Sequence, residues 1–209
     1  MSVVIIDTEE RTMYSDTNVT LASTDAWQVS KSMQLHIGDY KVLLGGIGVP
    51  SIVDMLMAFA ISDIEAVPSD VSIREYPTFS SFIGRMDVFN DRVSALSHVS
   101  QHDTFDSEVI VAVEDCRNGD FHVGHIISHN PVTTWGVRPA VGDTTICLAS
   151  NQATSAWRST RGPILQRITQ LCNVIQFLKF PNSIDKLSID GEKHSFGVSI
   201  DDKIIRTDR

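Results

Sequence analysis

Cysteine is scarce in this chain, with only Cys116, Cys147 and Cys172 among 209 residues. The three are scattered and odd in number, and none falls in a CxxC spacing, which argues against a disulfide frame or a zinc site. Free thiols of this kind suit a reducing compartment, so a cytoplasmic location is expected. Basic residues are outnumbered, 17 Lys and Arg against 26 Asp and Glu, for a net charge of −9. That balance argues against a nucleic-acid backbone or an anionic membrane as the main partner. No apolar run is long enough to span a bilayer: the longest, around Ile47–Ile61, contains Ser51 and Asp54. Asp7, Glu9 and Glu10 interrupt the first apolar run, so no signal peptide is expected. Aromatic residues make up 7% of the chain, and Trp27, Trp135 and Trp157 are isolated. Isolated tryptophans suit packing better than a nucleotide-stacking platform.

What remains is an ordinary globular composition, 42% hydrophobic and 21% charged, in a chain long enough for one substantial domain over residues 1–209. Val3–Asp7 and Arg11–Asp16 read as strands joined by Thr8-Glu9-Glu10. Strands are also expected at Ser32–Ile37 and Tyr40–Leu44, flanking Gly38-Asp39. The segment Gly45-Gly46-Ile47-Gly48 then reads as a loop into a helix at Ser51–Ser62, where Ile52, Met55, Leu56 and Phe59 share one face. Phe79–Ser97 reads as a second helix. Glu108–Val113 and Asp120–Ile127 read as strands about Asn118-Gly119, and Val132–Val141 as another. Helices are expected at Thr144–Trp157 and Ile164–Lys179, the latter following Pro163. A terminal hairpin pairs Ser183–Ile189 with Ser195–Ile200. Strands, two helices, strands, two helices, strands: this order predicts an α+β fold, a four-layer αββα sandwich with two antiparallel sheets between helix layers.

Several possible sites are weak on inspection. His122, His125 and His129 suggest a metal, but His122 and His125 are three apart on an expected strand and point to opposite faces. Gly45-Gly46-Ile47-Gly48 lacks the Lys-Ser/Thr of a phosphate loop. Cys147 and Cys172 fall on apolar helix faces and read as core thiols.

The front of the chain is more informative. Ser2 follows Met1 directly, a favourable context for removal of the initiator. Asp16 lies in Tyr14-Ser15-Asp16-Thr17-Asn18-Val19-Thr20, and from Lys31 the chain runs Lys-x-Met-Gln-Leu through to Gly45-Gly46-Ile47-Gly48. This arrangement resembles the N-terminal-nucleophile hydrolases, specifically proteasome β subunits and their bacterial two-component relatives. The Ser2-to-Asp16 spacing is about two residues shorter than in typical members, a deletion that a hairpin turn absorbs without loss of register.

The resemblance implies a catalytic set. Ser2 would be the nucleophile and its own α-amine the base, since a hydroxyl attacks only when an adjacent base takes its proton. Lys31 would favour the deprotonated hydroxyl, Asp16 would keep that lysine charged and in place, and the Gly45 N–H would help form the oxyanion hole. No cofactor or metal is implied. The implied substrate is unfolded polypeptide, the implied assembly a homo-oligomeric ring, and an ATPase unfoldase the implied but unidentified partner. The second half departs from the pattern. Gly142-Asp143-Thr144 stands where the family has Gly-Ser-Gly, and no Asp precedes Ser183 by three residues. Those departures keep a second reading open: a catalytically degenerate relative that serves as an assembly or binding module.

Overall fold

The computed structural model describes residues 3–21, 25–68, 70, 107–128, 144–148, 157, 159–174, 182–198 and 204–206. The expected helix Phe79–Ser97 and strand Val132–Val141 lie outside these residues. Twelve strands and two helices are described: β1 (Val3–Asp7), β2 (Thr12–Asp16), β3 (Asn18–Leu21), β4 (Asp25–Gln28), β5 (Ser32–Ile37), β6 (Tyr40–Ile47), α1 (Pro50–Glu65), β7 (Ser107–Asp115), β8 (Phe121–Ser128), β9 (Thr144–Leu148), α2 (Ile164–Val174), β10 (Asn182–Ser188), β11 (Lys193–Val198) and β12 (Ile204–Arg206). They form a six-stranded sheet ordered β12-β11-β10-β2-β1-β9, a four-stranded sheet ordered β5-β6-β7-β8, and a separate β3-β4 hairpin. Every pairing is antiparallel.

The layering follows from strand alternation. Successive residues of a strand face opposite sides, so a strand covered on both sides must be apolar throughout. In β1, Val3 and Ile5 pack with Trp157, Ile168 and Leu171 on the α2 side. Val4 and Ile6 face the other way, into a core shared with Leu43, Ile110 and Ala112 of the second sheet. The second sheet repeats the logic: Val42, Leu44, Val109 and Val111 meet Ile52, Leu56, Ala60 and Ile64 of α1. Three cores in series therefore separate α1, two sheets and α2. This is the expected α+β four-layer sandwich.

Local departures have identifiable causes. Residues 144–148, expected to open a helix, form β9 and pair with β1 from Val3↔Leu148 to Asp7↔Thr144. Thr144, Thr145 and Ile146 are β-branched and suit a pleated surface better than a helix. Gly45 and Gly46, expected in a loop, continue β6, and only Gly48 turns the chain, at φ 118°. A Cβ on Gly45 would stand 2.7 Å from Val4 Cγ1 and closer still to Met13 Sδ, so the crossing of the two sheets requires a glycine there. Gly46 faces the other way, where a Cβ would collide with Val53 of α1. The β3-β4 hairpin was not anticipated by the sequence pattern. The turn between β1 and β2 is an Asx turn, with Asp7 Oδ1 accepting the N–H groups of Glu9 (3.0 Å) and Glu10 (3.1 Å).

Candidate active site

The register of the first hairpin decides what stands beside the start of β1. Val4 pairs with Ser15, so the next step places Asp16 alongside Val3. The Val3 N–H donates to Asp16 Oδ1 at 2.6 Å. The other carboxylate oxygen, Oδ2, accepts from Lys31 Nζ, also at 2.6 Å. The pair is buried: the Asp16 side chain is 0% exposed and that of Lys31 7%. Burial pushes the Asp16 carboxyl above its usual range, and the Lys31 ammonium and the Val3 N–H pull against that effect.

The chain around this pair is tied down on both sides. Thr17 donates its N–H to the Ser183 carbonyl at 3.1 Å and accepts the Val29 N–H at 2.8 Å. Its hydroxyl lies 2.6 Å from Ser183 Oγ. Ser15 Oγ lies 3.2 Å from Ser32 Oγ in a buried contact that joins the two sheets. The Lys31 carbonyl accepts the Gly46 N–H at 3.1 Å, which fixes the lysine backbone on β6.

Gly45 pairs with Ser32 on one side and with Ile110 on the other. Because Gly46 bonds toward Lys31, alternation along an antiparallel strand turns the Gly45 N–H toward β7. Three of the four expected site residues are therefore described. Asp16 and Lys31 are in direct contact, and Gly45 lies on the strand that holds the Lys31 backbone. Ser2 lies outside the described residues, as do Gly142, Asp143 and Phe180, the residue three before Ser183.

A second polar group was missed in the sequence. Asp185 on β10 is 3% exposed and stands opposite Ser15. It accepts Ser195 Oγ at 2.6 Å and Lys193 Nζ at 2.8 Å. Ser30 Oγ lies 3.3 Å from Asp185 Oδ2 and 3.0 Å from the Ser32 carbonyl, with one proton to give to either. Lys193 Nζ also donates to Ser30 Oγ at 3.2 Å. Ser30 and Ser32 flank Lys31, and that alternation was the only available signal.

No family model matches the chain, and no curated protein matches it. Solved structures do. The chain is similar to Anbu from Hyphomicrobium sp. strain MC1, with a TM-score of 0.56 at 13% identity, over 97% of this chain and 89% of that one. It is similar to Anbu (ancestral beta-subunit) from Yersinia bercovieri, with a TM-score of 0.56 at 11% identity, over 96% of this chain and 88% of that one. A structure of the helical assembly of the Anbu complex from Pseudomonas aeruginosa gives a TM-score of 0.62 at 11% identity, over 96% and 88% of the two chains. The likeness is one of fold. It corrects the family resemblance drawn from Ser2, Asp16, Lys31 and Gly45. The structures named above are Anbu proteins, where the resemblance named proteasome β subunits and their bacterial two-component relatives. Identities of 11–13% without a matching family model do not carry membership of the N-terminal-nucleophile hydrolases. Four positions spread over some forty residues are too few to define a family, although they can define a site.

Two further features bear on function. A cavity of about 440 Å³ is lined by His36, Asp39, Tyr40, Glu65 and Arg117, among others, and includes neither Asp16 nor Lys31. Among the described residues, no helix is long and apolar enough to cross a membrane.

Proposed function

We propose that this chain is a peptidase that hydrolyses peptide bonds through Ser2 once Met1 has been removed, working within a self-assembled oligomer. The observation that carries the reading is the buried Asp16–Lys31 pair, anchored to the main chain at Val3, the residue next to Ser2. A buried ion pair is a poor means of stabilising a fold, because desolvating two charges offsets most of their attraction. Its placement beside the start of β1 is accounted for by chemistry at the neighbouring residue.

In the proposed reaction, the Ser2 hydroxyl attacks the substrate carbonyl carbon and its proton passes to the free α-amine, which has an ordinary pKa of about 8. Lys31 would stabilise the developing negative charge of the hydroxyl oxygen, and Asp16 holds its ammonium at 2.6 Å. The tetrahedral intermediate collapses as the leaving amine takes the proton from the α-ammonium, leaving an ester on Ser2. Water, deprotonated by the same α-amine, cleaves that ester and restores the hydroxyl. The expected oxyanion donor, the Gly45 N–H, faces β7, so its use on substrate requires that rung of the ladder to open. Unfolded polypeptide is the proposed substrate class, and an ATPase unfoldase would be needed to supply it from folded proteins. Self-assembly is supported by the fold-level likeness to a protein solved as a helical assembly.

A second reading is favoured by a specific departure. Phe180 stands where an Asp would precede Ser183 by three residues, and the Ser183 hydroxyl is engaged by Thr17. On this reading the chain keeps the fold for assembly or binding and cleaves nothing. Hydrolysis of fluorogenic peptides by the wild type and by Ser2→Ala separates the two. Turnover that disappears in Ser2→Ala supports the peptidase; turnover absent from both proteins, with an oligomer intact, supports the silent module.

A further inference from the structure

Lys31 sits just before β5, at the point where the chain enters the second sheet, and its carbonyl accepts the Gly46 N–H. Ordering a long, flexible side chain costs rotamer entropy, and that cost is met most readily when the backbone segment carrying it is itself fixed. The residues on either side of it are both serines, and both reach the first sheet. Ser32 meets Ser15 at 3.2 Å. Ser30 meets the Asp185 cluster, directly at 3.3 Å and through Lys193 at 3.2 Å. The intervening side chain, Lys31, reaches Asp16 instead, at 2.6 Å.

We propose that Asp185 is a positioning residue for Lys31: with Lys193 it holds Ser30 against β10, and so fixes the segment from which Lys31 reaches Asp16. Asp185 does not touch the reacting atoms. Its carboxylate is buried at 3% exposure, accepts Lys193 and the Ser195 hydroxyl with Ser30 Oγ at 3.3 Å, and lies opposite Ser15, whose own hydroxyl holds Ser32. Ser15 and Asp185, neighbours across two strands, thus grip the two serines that flank the lysine. The kinetic consequence rests on the peptidase reading; the structural consequence does not.

The test uses Asp185→Asn, Ser30→Ala and Lys193→Met in the full chain, with Lys41→Met as a control. Lys41 pairs with Asp190 at 2.6 Å, in contacts that do not include the Asp185 cluster. The deciding readout is the side-chain ammonium NMR signal of Lys31 in protein labelled at lysine nitrogen. The proposal predicts that this signal shifts or broadens in each of the three variants and stays in place in Lys41→Met. If Asp185→Asn fails to fold, Ser30→Ala and Lys193→Met carry the comparison alone. The expected kinetic counterpart is a fall in kcat of about tenfold or more with KM within about twofold, as for a misplaced catalytic group. An unmoved Lys31 signal in the folded variants overturns the proposal, even if kcat falls. Turnover that survives Ser2→Ala removes the peptidase reading, and the Lys31 signal still decides the role of Asp185.

Discussion

The Lys31 ammonium and the Val3 N–H occupy the two oxygens of one buried carboxylate, Asp16, each at 2.6 Å. This arrangement joins the start of β1, the end of β2 and the entry to β5 at one buried point. Neither charge is well solvated, so each depends on the other. Lys31→Ala leaves a buried carboxylate unpaired and is expected to cost about 3–5 kcal/mol of stability. The double variant Asp16→Asn/Lys31→Met removes both charges and should recover most of that loss while remaining without turnover. Denaturant unfolding of the three proteins, alongside peptide hydrolysis, checks both halves. A double variant that hydrolyses peptide at the wild-type rate would separate the pair from catalysis.

The pH behaviour of stability and activity should diverge. Burial raises the Asp16 carboxyl above its ordinary value. A carboxyl with a raised folded-state pKa contributes stability below its unfolded pKa, and that contribution is lost as pH rises through the folded value. Relative to Asp16→Asn/Lys31→Met, the wild type should therefore lose stability as pH rises through that window. Activity should run the other way, with kcat/KM increasing as pH rises toward about 8, where the α-amine becomes free to accept a proton. Thermal unfolding and initial rates over one shared pH series test both signs.

Gly45 predicts a packing defect with a specific rescue. Gly45→Ala would push a methyl into Val4 and Met13, an overpacking expected to cost about 1–3 kcal/mol. Combining it with Met13→Ala opens space on the opposing sheet, so the double variant should be less unstable than the sum of the singles. A double-mutant cycle on unfolding free energies measures the coupling, and strict additivity would place the clash elsewhere.

At another point on the second sheet, Arg117 and Asp115 predict an acid-sensitivity phenotype. Arg117 donates to both Asp115 oxygens, Nε at 2.9 Å and Nη2 at 2.7 Å, and to the Tyr40 hydroxyl at 2.9 Å. Those hydrogen bonds hold the Asp115 carboxyl below the usual carboxylate range. The associated stability is present above the unfolded carboxylate pKa and lost as pH falls through the lowered folded value. Arg117→Met should therefore move the acid-unfolding midpoint to higher pH, a shift readable by circular dichroism.

The parts of this fold that were legible in the sequence are those where alternation and turn chemistry agree. The Val3–Asp7 run with the turn at Thr8-Glu9-Glu10, the Ser32–Ile37 and Tyr40–Leu44 pair, and the α1 stripe of Ile52 and Leu56 all follow from local pattern. Residues 144–148 were misread because a short apolar and β-branched run fits either element until its partner, β1, is known. Gly45-Gly46 was misread because a glycine pair usually marks a turn. Here it marks two close approaches on opposite faces of one strand. The contact between Asp16 and Lys31 was legible only through the family resemblance. Asp185 was not, because an Asp in Asn182–Ser188 carries no local sign of the cluster it forms with Ser30 and with Lys193 and Ser195 of β11.

The most direct test is the intact mass of the purified protein before and after exposure to a serine-directed covalent probe, in wild type and Ser2→Ala. The peptidase reading predicts a mass lacking Met1 and a single adduct mapping to Ser2, absent from Ser2→Ala. Retained Met1, or an adduct of equal yield in Ser2→Ala, would show that Ser2 is not the nucleophile.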